Sequence, residues 1–236
     1  LANFVVNELL SSGYWDGVFY DNSWDAISWA AGTDIDLNGD RVIDTDVDLL
    51  WQKGMRSLYQ TTRQLSPKPI VIVGNGIHRA YADQLNGMML ENSSAPSWNT
   101  TVDQYLFRME KSIAPALSVL NANTGNGIRS QTDYRGVRFG LGTSLLHDGY
   151  YSYDFGDTNH GQTWWYDEYD AHLGMPLGDA FSQTGKALPQ RDVWKRQFEH
   201  GLTVVNSTDV PALVDLGGEY ERLRGTQDPL VNDGSI

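Results

Sequence analysis

The chain has 236 residues, 40% hydrophobic and 20% charged, enough apolar material for one large soluble core and a small appendage. Its 17 Lys and Arg against 30 Asp and Glu give a formal net charge of -13, which repels nucleic acid and anionic membrane surfaces at long range; a neutral or cationic ligand fits better. The absence of Cys excludes a disulfide framework, a thiol nucleophile and a thiolate zinc site, and no apolar run approaches the roughly 18 residues of a membrane-spanning helix.

The chain opens without Met and already in helical periodicity, so it reads as cut from something longer, and the lack of a visible signal peptide carries no information. The pattern predicts a helix over 2–11, a strand over 15–20, a long loop and a helix over 46–64. A strand over 70–73 follows, delimited by Pro69 and by Gly74-Asn75-Gly76, then a short helix near 78–85 and a strand ending at Glu91. A Pro- and Ser-containing loop leads to a helix from about Thr101, in which Val102, Tyr105, Leu106 and Met109 recur at helical spacing. A strand over 117–121, a helix over 133–146 and a strand ending at Asp154 complete five βα units. From about residue 191 the texture changes to short β-type pieces at 194–198, 202–206, 212–216 and 220–224. The division is therefore residues 1–190 as a partial β/α barrel carrying catalysis, and 191–236 as a β-rich C-terminal extension that itself stops short.

Alternating strands and helices define the α/β class. Five units preceded by a helix with no strand before it fit the C-terminal part of a TIM (β/α)8 barrel; a flavodoxin-like five-stranded sheet stays open as the alternative. The visible strands end in Asp, Asn or Glu, as at a barrel mouth. Asp21, Glu91 and Asp154 close the first, third and fifth strands, which places them in one interior layer above Phe19, Met89 and Ser152 and then Gly17, Gly87 and Tyr150.

Glycosidic cleavage uses two carboxyl groups on opposite sides of an anomeric carbon. Asp21 and Glu91 are the candidate pair, Asp21 as nucleophile and Glu91, with the longer reach, as general acid/base. The same acids could instead cap helices. Asn22, Asn75, His78, Asn92, Asn121 and Asp154, with His160 in the loop beyond, are candidates for holding sugar hydroxyls. The 8 Trp and 12 Tyr, many beside Asp, Asn and Gly, suit stacking on sugar rings as well as core filling. Trp24 and the run Trp164-Trp165-Tyr166-Asp167-Glu168 form the candidate platform, or else a helix start packed on the extension. Asp36, Asn38 and Asp40 occupy the first, third and fifth places of an EF-hand-like loop, which suits a structural calcium, with Asp44, Asp46 or Asp48 closing the site. Against this, Arg41 stands where Gly is expected and no Glu holds the twelfth place, and the same oxygens serve equally in Asx turns and a helix cap.

The segments WDGVFYDN, IVGN, MMLEN, RFGLGTSLLHDGYYSYDF, WWYDEYDAHLGMPLG and GTQDPLVNDG resemble a family of bacterial glycoside hydrolases described as a hypothetical glycosyl-hydrolase-like barrel family. The resemblance covers nearly the whole chain and implies a TIM barrel acting on carbohydrate, with no cofactor for catalysis and a secreted or cell-surface location. In the clan containing α-galactosidases the nucleophile is an Asp ending strand four and the acid comes from strand six. Asp21 and Glu91 match those places if the first visible strand is the fourth, with Glu standing where that clan has Asp. The resulting expectation is a retaining glycoside hydrolase acting on an oligo- or polysaccharide, without nucleic-acid or membrane partners. A noncatalytic glycan-binding barrel is the first rival. A metal-dependent hydrolase built on Asp21, Asp154 and a His is the second, weakened by the absence of an HxH or HExxH pair.

Overall fold

Parallel strands alternating with helices, followed by a small antiparallel sheet, make this an α/β fold whose five-stranded parallel sheet is consistent with part of a β/α barrel. The computed structural model describes residues 1–76, 79–91 and 98–236. It divides into two units, Leu1–Glu91 with Phe107–Ser118, and Asn92–Leu106 with Val119–Ile236.

In the first unit, strands β1 (Gly17–Tyr20), β2 (Val71–Asn75) and β3 (Gly87–Leu90) pair in parallel, with Tyr20 beside Gly74 and Asn75 beside Met89. Their side chains alternate between two faces, as the pleat requires. Tyr20, Ile72 and Met88 enter a core with Val5, Val6, Leu10, Met55, Tyr59 and Leu85. Gly17, Phe19, Val71, Val73, Asn75 and Met89 occupy the opposite face, where Phe19 is 48% exposed. After the one-turn helix α2 (Ser28–Ala31), helix α3 (Val47–Leu65) packs on the core because Val47, Trp51, Met55, Leu58, Tyr59 and Thr62 recur at three- and four-residue spacing. The amino-terminal helix, expected over 2–11, runs as α1 (Ala2–Phe4), a wider π-type turn (Val5–Leu9) and a 3-10 turn (Leu10–Ser12) that ends at Gly13 with φ 75°. Buried Asn86 ties this unit together. Its side chain accepts from the Ile72 amide and Arg63 and donates to the carbonyls of Ile113 and Pro115.

Two expectations shift here. The strand expected to stop at Val73 continues to Asn75, because Gly74 is a close-approach residue: a Cβ there would lie 2.7 Å from Ser23 Oγ. The short helix expected near 78–85 is a set of turns over 80–84, and residues 77 and 78 lie outside the described residues.

In the second unit, β4 (Val119–Asn123) pairs in parallel with β5 (Tyr150–Asp154), placing Asn121 beside Ser152 and Asn123 beside Asp154. The strand lies two residues later than expected, so Asn121 sits inside it and not at its end. Helix α4 (Trp98–Lys111) begins earlier than Thr101, and α5 (Tyr134–Ser144) starts after Asp133, whose side chain accepts from the Gly136 amide. Val137, Tyr153 and Tyr166 form one core with Tyr151 and Trp164; Trp98, Val102, Leu146, Trp194 and Val205 form another. The extension supplies β7 (Val193–Phe198) and β8 (Gly201–Asn206), an antiparallel hairpin flanked by the two-residue β6 (Phe181–Ser182), which the pattern did not predict. The pieces expected at 212–216 and 220–224 are not strands; Leu213 is 94% exposed and finds no sheet face to pack on.

Candidate active site

Asp21 follows β1 directly, and three donors converge on its carboxylate. The Asn22 amide reaches Oδ1 at 2.8 Å, Asn22 Nδ2 reaches Oδ2 at 3.2 Å, and Asn75 Nδ2 reaches Oδ1 at 2.9 Å. The turn that makes this possible is built locally. Asn22 adopts φ 53°, Ser23 donates its hydroxyl to the Tyr20 carbonyl and its amide to the Asn75 carbonyl, and Tyr59 donates to Ser23 Oγ at 2.9 Å. Burial pushes the Tyr59 hydroxyl pKa up to about 12, so it remains a donor at neutral pH.

Glu91 comes immediately after β3 and is partly buried. Met89 is the register partner of Asn75, and Asn75 reaches across to Asp21. Alternation therefore carries Glu91, two residues beyond Met89, on the face that holds Asp21. Asn22 does not reach outward for a hydroxyl; it turns back to hold the carboxylate. Trp24 sits beyond this turn, edge-on to Trp29 at 4.5 Å, with its carbonyl accepting from Trp51 and Tyr81. His78 and Asn92 lie outside the described residues.

In the second unit, Asp154 is 14% exposed at its side chain. Its Oδ2 accepts from Asn121 Nδ2 at 3.1 Å and meets His160 Nδ1 at 2.9 Å. Asn121 also donates to Ser152 Oγ at 3.0 Å, a serine expected from the strand pattern only as the layer beneath Asp154. The signal for it was its position two residues back on the same strand face.

The aromatic run divides in its roles. Trp165 is 63% exposed, with its ring edge-on to Tyr169 and Nε1 donating to Asp170. Trp164 packs against the Tyr153 core, and buried Tyr166 donates to the Gln131 carbonyl. The acids that follow hold the tail of the chain. Asp167 accepts from the amides of Thr226 and Gln227, and buried Glu168 accepts from Arg138 and Asn232. Trp98, near Glu91 in sequence, is fully buried and donates to Thr143.

The acidic loop is folded around its own amides. Asp36 accepts from Gly39, Asp40 and Arg41, Asn38 accepts from Asp40, Asp40 from Val42 and Asp44 from Leu37. The Arg41 amide foremost, with the neighbouring amides, holds the Asp36 carboxyl below the usual range. Arg41 takes φ 71°, the conformation a glycine would supply at that place. Asp48 faces a different segment, accepting from the hydroxyl and amide of Ser28 and the amide of Ile27. Among the described residues no three His, Asp or Glu side chains are grouped to hold a metal ion.

Amides and carboxylates gathered at the carboxyl ends of parallel strands are the site architecture of the β/α-barrel class. Residues 2–202 match the sequence profile of hypothetical glycosyl hydrolase family 15, and the chain belongs to that family. No curated protein matches the chain.

Proposed function

We infer that the protein is a retaining glycoside hydrolase in which Asp21 is the nucleophile and Glu91 the general acid/base. The observation that carries this reading is the Asp21 carboxylate itself. It is exposed at a strand end, oriented by Asn22 and Asn75, and on the same sheet face as a second acid two residues beyond the partner of Asn75. Family membership supplies the substrate class, a carbohydrate.

In this reading an Asp21 oxygen attacks the anomeric carbon while Glu91 delivers its proton to the departing glycosidic oxygen, leaving a glycosyl ester on Asp21. Glu91, now ionised, takes a proton from water, and that water attacks the same carbon and releases Asp21. The geometry asked of the pair is a carboxyl separation of about 5 Å. Asn22 and Asn75 fix the attacking oxygen, so orientation is set before substrate arrives.

Asp21→Asn should lower kcat by about a thousandfold or more on every substrate. Glu91→Gln should spare kcat/KM on substrates with a dinitrophenol leaving group, which departs without protonation, while lowering their kcat through the lost general base, and should lose about a hundredfold or more in kcat/KM on unactivated glycosides. Steady-state kinetics on an aryl-glycoside panel reads both. Equal losses in kcat/KM across leaving groups for Glu91→Gln would remove it from the acid role. Retained binding with no turnover in the unaltered protein would favour a glycan-binding barrel.

A further inference from the structure

The second unit holds an open cavity of about 930 Å3 between the carboxyl end of β4, the start of α5 and the segment that leaves β8. Four arginines and two aspartates line it in a chain whose total charge is -13. Two of the arginines are spent: Arg138 pairs with Glu168 and Asp228, and Arg191 with Asp209. Asp133 is spent as well, capping α5 through the Gly136 amide. Arg129 and Arg135 remain: the Arg129 amide donates to the Thr124 carbonyl, but among the described residues neither guanidinium makes a hydrogen bond or an ion pair.

Arg135 occupies the first turn of α5, where the helix dipole is positive and disfavours a cation. A second guanidinium at Arg129 raises the local potential further, although this chain carries ample carboxylate to neutralise both. Local electrostatics are thus set against stability and in favour of an anion. The rest of the lining is mixed, with Phe139, Val204 and Val205 beside Asn123, Asn206 and Thr208, which suits the apolar face and hydroxyl edge of a sugar ring. The volume admits more than a single inorganic ion.

We propose that this cavity is a binding site for an anionic saccharide, a uronate-bearing oligosaccharide whose carboxylates are taken by Arg129 and Arg135. Its lining includes neither Asp21 nor Glu91, and the proposal does not depend on their catalytic roles. Planar guanidinium forks match carboxylates in a bidentate way, which a lysine would not reproduce. At about 0.1 M salt the screening length is about 10 Å, so the acidic remainder of the molecule weakens the encounter without cancelling the local attraction.

The test is calorimetric titration of the full chain with trigalacturonate and, as the neutral probe, maltotriose. Both are run in an Asp21→Asn background so that turnover cannot interfere. Trigalacturonate should bind at least tenfold more tightly than maltotriose, weaken with added salt, and lose at least tenfold in Arg129→Gln/Arg135→Gln. Arg135→Glu alone should lose more than Arg135→Gln. Both side chains are exposed, and a circular dichroism melt verifies that each variant folds. Equal affinities for the two saccharides, or unchanged trigalacturonate affinity in the double variant, would overturn the proposal. Either result leaves the kinetics of Asp21 and Glu91 as an independent question.

Discussion

Asn22 holds a left-handed backbone, φ 53°, and that single conformation lets its amide and its side chain both donate to the preceding carboxylate. A short polar side chain tolerates this region, so the sequence Asp-Asn at a strand end is a device for orienting the acid. Asp48 shows how a carboxylate of the same loop region serves structure. Hydrogen bonds from the Ser28 hydroxyl and amide hold its pKa below the usual value. A depressed folded-state pKa contributes stability that is complete above the unfolded value of about 3.9 and fades as pH falls through the folded value. The stability difference between the unaltered protein and Asp48→Asn should therefore be constant above about pH 5 and shrink below about pH 4, read by urea melts across that range. A gap undiminished at pH 3 would contradict it. Arg108 presents the opposite case. It is fully buried, its three guanidinium nitrogens have no hydrogen-bond partner among the described residues, and burial lowers its pKa to about 10. Arg108→Met keeps the packing of the stem and removes an unpaired buried charge, so it should leave stability unchanged or raise it by about 1 kcal/mol. A loss above about 2 kcal/mol in chemical denaturation would show that the charge is paired.

Helix α5 carries Gly136, Gly140 and Gly142 within eleven residues, a poor composition for a helix on propensity alone. Packing explains it: a Cβ at Gly140 would sit 2.3 Å from the Tyr151 ring, and one at Gly142 would sit 2.9 Å from Val205. Gly140→Ala therefore sets a propensity gain of about 1 kcal/mol against an overpacking cost of about 1–3 kcal/mol, and net destabilisation of about 1 kcal/mol is expected in a urea melt. A more stable variant would show that Tyr151 moves aside freely. Element existence was legible in the sequence wherever the apolar period was long, as in α3 and β5. Boundaries were not legible where a glycine served packing, and Gly74 read as a turn although it continues a strand. The piece at 212–216 has strand composition without a partner strand, and the piece at 220–224 gains only an isolated antiparallel bridge of Arg224 with Asp233; pairing is a tertiary property that alternation cannot supply. The site was legible as residue types. That Asn22 turns inward, and that Asp167 and Glu168 secure the tail, depended on contacts between residues up to 64 positions apart.

Across the molecule, one face of the parallel strands in each unit builds a packed core and the other gathers polar groups toward the strand ends: Asp21 with Asn75 in the first unit, Asn121 with Asp154 in the second. Membership of a glycosyl hydrolase family agrees with that division, and the excess of acids over bases fits an uncharged substrate at Asp21. No helix among the described residues is long and apolar enough to cross a membrane. The central claim is that Asp21 forms a glycosyl ester. The most direct measurement is intact-mass and peptide mapping of the full chain after incubation with a panel of 2-deoxy-2-fluoro glycosyl fluorides, which slow breakdown of such an ester. The account predicts one covalent sugar adduct, located on the peptide containing Asp21 and absent in Asp21→Asn. An adduct on Glu91 or Asp154, or turnover with inversion and no adduct from any member of the panel, would contradict it.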